Sequence, residues 1–98
     1  MPDPQKAADL AHRMEKGQRA QALLDDETFK AAIMKTEERY VTGWKSGTSV
    51  EQREDMWAKY HALADVVREV RAMIGDGVIA AEEKRQQDKR EARQLVGS

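Results

Sequence analysis

The 98-residue chain contains no cysteine, which excludes a disulfide framework and a thiolate metal site. Its two prolines, Pro2 and Pro4, stand at the N-terminus, so no proline breaks a helix further on. No apolar run approaches the roughly 18 residues of a membrane span, and no secretory h-region is present. These absences imply a soluble, cytoplasmic protein. Neither charge dominates: 17 basic residues meet 18 acidic ones, for a net charge of −1. A general nucleic-acid binder with a broad basic face is therefore not expected.

What is present is helix-forming composition. Charged residues make up 36% of the chain, with Ala, Glu, Gln, Arg and Lys prominent, the profile of long helices. The strongest pattern is the stripe Met56, Tyr60, Leu63, Val67, Val70 and Ile74, spaced 4, 3, 4, 3, 4. That spacing marks the seam of a helix packed lengthwise on another. Thr48-Ser49-Val50-Glu51-Gln52 precedes it and reads twice as a capping box, Thr48 with Glu51 or Ser49 with Gln52. The third helix is thus predicted from about Ser49 to Ile74, with Gly75-Asp76-Gly77 stopping it.

Two earlier helices are predicted. Asp3-Pro4 supplies an N-cap and an N1 proline for a helix from Pro4 to about Leu24. Its stripe of Ala7, Leu10, Ala11 and Met14 is thin, and Gly17 weakens it. We expect it to be poorly buried and frayed or hinged at Gly17, or ordered only on a partner. Asp25-Asp26-Glu27 opens a second helix, from about Asp26 to Lys45, with Phe29, Ile33, Tyr40 and Trp44 on its apolar face. Gly47 is expected to end it in the left-handed conformation.

Helices two and three are near equal in length, and their short polar turn forces them antiparallel. Sliding them about that turn sets Tyr40 near Met56 and Trp57, Ile33 near Leu63, Phe29 near Val67, and Leu23 near Ile74. The expected organisation is all-α: a polar N-terminal helix over residues 1–24, a helical hairpin core over 25–75, and a charged C-terminal helix or tail over 76–98. A two-helix seam is marginal, because burying one large apolar side chain stabilises by about 1.5–3 kcal/mol and ordering entropy opposes the sum. Either the first helix completes the core in a monomeric bundle or a second chain covers it. We expect self-association, with Trp44, Trp57, Val66 and Met73 as the candidate partner interface.

Chemistry is scarce. His61 and Asp65 lie one turn apart, which offers two metal ligands where zinc needs three from the protein. The acidic pairs are sequence neighbours, about 100° apart on a helix, so they do not share a face. Gly75-Asp76-Gly77 lacks the Lys-Ser/Thr of a phosphate loop. No serine is placed with a histidine as nucleophile and base. No catalytic residue, metal or cofactor is expected.

The segments Ala22-Leu23-Leu24-Asp25-Asp26-Glu27-Thr28-Phe29, Trp44-Lys45-Ser46, Arg53-Glu54-Asp55-Met56-Trp57 and Val66-Val67-Arg68-Glu69-Val70-Arg71, with Ile74 and Gly77, carry a resemblance. Together they resemble small helical proteins encoded in tailed-phage and prophage structural, head-assembly gene modules. The resemblance spans Gly17 to Glu83, about two-thirds of the chain. It implies a minor structural or assembly protein in the cytoplasm of a bacterial host or in the virion, partnered by itself and other phage structural proteins. It implies no catalytic residue. The rival readings are a DNA-binding packaging accessory and a regulatory module for a host protein. In the first, Lys84, Arg85, Lys89, Arg90 and Arg93 would contact phosphates; the interleaved acids count against it.

Overall fold

In the computed structural model the protein is all-α, and residues 3–97 are described. Met1, Pro2 and Ser98, at the ends of the predicted terminal segments, lie outside the described residues. Three helices follow one another: α1 (Pro4–Asp25), α2 (Glu27–Ser46) and α3 (Val50–Gly97).

Their starts follow local chemistry. Asp3 caps α1, its carboxylate accepting from the Gln5 N–H at 3.0 Å. Asp26 is the single residue between α1 and α2, and its carboxylate accepts from the Phe29 N–H at 2.8 Å. At α3 the Ser49–Gln52 box forms. Ser49 Oγ accepts from the Gln52 N–H at 3.1 Å, and Gln52 Oε1 accepts from the Thr48 N–H and hydroxyl, both at 3.0 Å.

Two helix ends differ from expectation. Gly47 is extended (φ −61°, ψ 131°), not left-handed. The position suits glycine for space, because a Cβ there would lie 2.8 Å from Arg53 Cγ. Gly75-Asp76-Gly77 does not stop α3, which runs on through the charged segment to Gly97. Neither glycine takes a positive φ. A glycine costs an interior helix position only about 1 kcal/mol, which packing of the flanking turns overcomes.

The chain divides into two compact units, with α3 contributing to both. The hairpin unit is Ala22–Val70. In it α2 and the first half of α3 run antiparallel, as their three-residue turn requires. Met56 lies against Gly43, and Tyr40 bears electrostatically on Lys59. The seam residues Phe29, Ile33, Tyr40, Met56, Leu63, Val67 and Val70 are half-buried, and Tyr60 is more exposed at its edge.

The terminal unit joins the chain up to Gln21 with the chain from Arg71 onward. Here α1 packs antiparallel on the second half of α3. Lys6 and Arg13 reach Glu83, Arg13 reaches Asp76, and Gly17 crosses Gly77. Every fully buried residue among those described lies in this unit: Leu10, Gly17, Ala20, Gly77 and Ala80. The expectation of a poorly buried, hinged α1 is therefore corrected. A Cβ built on Gly17 would lie 2.9 Å from Gly77 Cα, so the two glycines let the backbones touch. Burial on α1 comes from Leu10 and from the close approach of the small residues Gly17 and Ala20.

Candidate interaction surface

The hairpin unit has no fully buried residue, and α2 has none along its whole length. Its apolar side chains instead line an open groove of about 280 Å³ near the turn. Tyr40, Val41 and Trp44 come from α2, and Met56, Trp57, Tyr60 and His61 from α3. The helical repeat explains the grouping. Positions 40, 41 and 44 share a flank of α2, and 57, 60 and 61 share the matching flank of α3. Gly43 admits Met56, because a Cβ there would lie 2.7 Å from the Met56 sulfur.

The rings are organised. Trp57 and His61, one turn apart, stack with centroids 4.0 Å apart and planes tilted by 43°. Tyr60 meets His61 edge-on at 5.7 Å. Trp57 remains 57% exposed and Trp44 46%. Rings that are part packed and part wet are typical anchors of protein interfaces.

The four predicted interface residues are divided between the two units. Trp44 and Trp57 share the groove. Val66 is exposed but lies nine residues beyond Trp57, about half a turn round the helix at 100° per residue. Met73 belongs to the terminal unit, where its carbonyl would lie 3.1 Å from a Cβ on Gly17. The half-buried seam residue Ile74 also belongs there and lines a second groove, with Met14, Gly17 and Val78. Sequence reasoning missed His61 as a ring partner. The i,i+4 spacing from Trp57 was the available signal, but only the His61–Asp65 spacing was weighed, and it falls short of a metal site.

The predicted phosphate contacts are all on α3 but spread round it. At about 100° per residue, positions 84, 85, 89, 90 and 93 sweep over half the circumference. Lys84 pairs with Asp88 at 3.0 Å and Arg85 pairs with Glu82. Among the described residues, no group of three or more His, Cys, Asp or Glu is placed to hold a metal, and no helix is long and apolar enough to cross a membrane.

The terminal unit has a charged edge that the sequence did not reveal. Arg13 Nε donates to Asp76 Oδ2 at 3.0 Å and Nη2 to Oδ1 at 2.8 Å. Glu83 lies 3.6 Å and Asp9 3.7 Å from the same guanidinium. The hydrogen bond from Arg13 holds the Asp76 carboxyl below the usual aspartate range, and its counterpart raises Arg13.

The comparisons add no relative: no protein-family model, curated protein or solved structure matches the chain.

Proposed function

We propose that this chain is a non-enzymatic protein–protein interaction module that self-associates, and that it serves as a minor structural or assembly protein of a phage particle. The carrying observation is the hairpin unit, folded as two long helices with no fully buried residue. An apolar seam of that kind is marginal in water and is stabilised when another surface covers it. Exposed Trp and Tyr beside the seam are the side chains that dominate protein interfaces. The phage setting rests on the resemblance carried by the segments around Trp44, Trp57 and Val66–Arg71. There the protein works in the cytoplasm of the bacterial host or within the virion, alongside other structural proteins. The even net charge and the dispersed cations of α3 favour a protein partner over DNA.

Size-exclusion chromatography with light scattering across a concentration series tests the reading. A dimer or a defined ring is the expected result. A monomer persisting at high concentration would remove self-association.

A further inference from the structure

We infer that the aromatic groove of the hairpin unit is where two copies of this chain meet, face to face, each covering Trp44 and Trp57 of the other. This rests on the self-association proposed above and names its surface. Need points to the hairpin unit, because the terminal unit has its own buried residues around Leu10 and the hairpin unit has none. Area points the same way. Trp57, Trp44, Tyr60 and Val41 are 57, 46, 37 and 37% exposed. With aromatic side chains of about 150–250 Å² each, these four present roughly 300–400 Å² of clustered apolar surface. That matches the largest patch a monomer usually carries, and supplies about half of the roughly 800 Å² each partner brings to a stable interface. The flanking polar residues of α2 and α3 complete it as a rim. A small molecule filling an open 280 Å³ groove would leave much of both indoles wet, whereas a second hairpin packs along the helices as in a four-helix bundle.

Charge separates this contact from another that two copies could make. Ala22–Val70 carries ten acidic and seven basic side chains, and the remainder carries eight acidic and ten basic. Hairpin on hairpin brings like net charges together, so added salt leaves the association unchanged or tightens it. Hairpin on terminal unit brings opposite charges together, and salt weakens it.

The chain's only tryptophans are the two in the groove, so acrylamide quenching of the unaltered protein reads its coverage directly. Quenching is expected to fall, and emission to shift to shorter wavelength, over the concentrations at which the mass doubles. Trp57→Lys is expected to raise the dimer Kd about 30-fold or more, and Val66→Lys, half a turn away, to change it less than about threefold. Circular dichroism checks that both variants keep their helix, and the quenching result stands even if one does not. A dimer whose tryptophans stay as open as in the monomer would overturn the face while leaving self-association intact. So would a dimer that salt weakens, or one that Val66→Lys breaks and Trp57→Lys spares. A monomer at every concentration would overturn both.

Discussion

Three glycines within α1 and α3 fall into two classes when changed. At Gly75 nothing lies within 4 Å of an added Cβ. Gly75→Ala is expected to stabilise by about 0.5–1 kcal/mol through lower unfolded-chain entropy and better helix propensity. At Gly17 and Gly77 the same methyl meets backbone at 2.9 Å, and backbone cannot swing aside. Either substitution to Ala is expected to destabilise by about 1–3 kcal/mol, the usual cost of overpacking. Urea unfolding of the three variants checks the sign at each position. Sequence alone treats the three alike, since the contact that separates them joins positions 60 residues apart. The same distance hid Arg13–Asp76. Because that pair depresses the Asp76 pKa, its contribution is present above the ordinary aspartate range and is lost as pH falls through the lowered value. Thermal melts between pH 6 and pH 2.5 should therefore show a loss of stability that Asp76→Asn reduces.

At the scale of elements, what could be read was what short-range chemistry decides. Asp3, Asp26 and Ser49 sit where their side chains bond the first turns, and each was legible as a cap. Asp26→Ala is expected to cost about 1 kcal/mol, read as a lower unfolding midpoint. The α3 seam was legible because large apolar residues repeat at 4 and 3; Met56, Leu63, Val67 and Val70 are half-buried in the hairpin unit, whereas Tyr60 is exposed and Ile74 falls in the terminal unit. Val67→Asp on that seam is expected to unfold or dissociate the protein, as seen by loss of helical circular dichroism or of oligomeric mass. For the second half of α3 a charged helix was one of two readings, but its continuity with the first half and its packing on α1 were not legible. Its buried positions are Gly77 and Ala80, and a search for large apolar side chains passes over such a face. Gly75 and Gly77 look like a stop because glycine is a poor helix former, but tertiary contact decides here.

For the molecule as a whole, half of the candidate surface was legible. Trp44 and Trp57 were marked by residue type and by their nearness to the turn. Val66 and Met73 were marked by exposure alone; Val66 lies half a turn round α3 from Trp57, and Met73 belongs to the terminal unit. If a second copy completes the fold, stability depends on protein concentration. The apparent Tm should then rise as concentration is raised at fixed pH and salt. A Tm independent of concentration over two decades would contradict an associated native state.

The pairing of α1 with the far end of α3 also orders events in time. Arg13 and Asp76 are 63 residues apart in the chain. At about 5–20 residues per second, α1 leaves the ribosome roughly 3–12 s before the turn that will hold it has been made. The hairpin unit, built from neighbouring segments, has its whole sequence available first. Docking of α1 on the second half of α3 therefore follows synthesis of the hairpin unit, and Leu10 and the small residues around Gly17 lack cover until then. A nascent chain stalled before Asp76 would display α1 and the tryptophan groove together, and is the form most open to capture by chaperones.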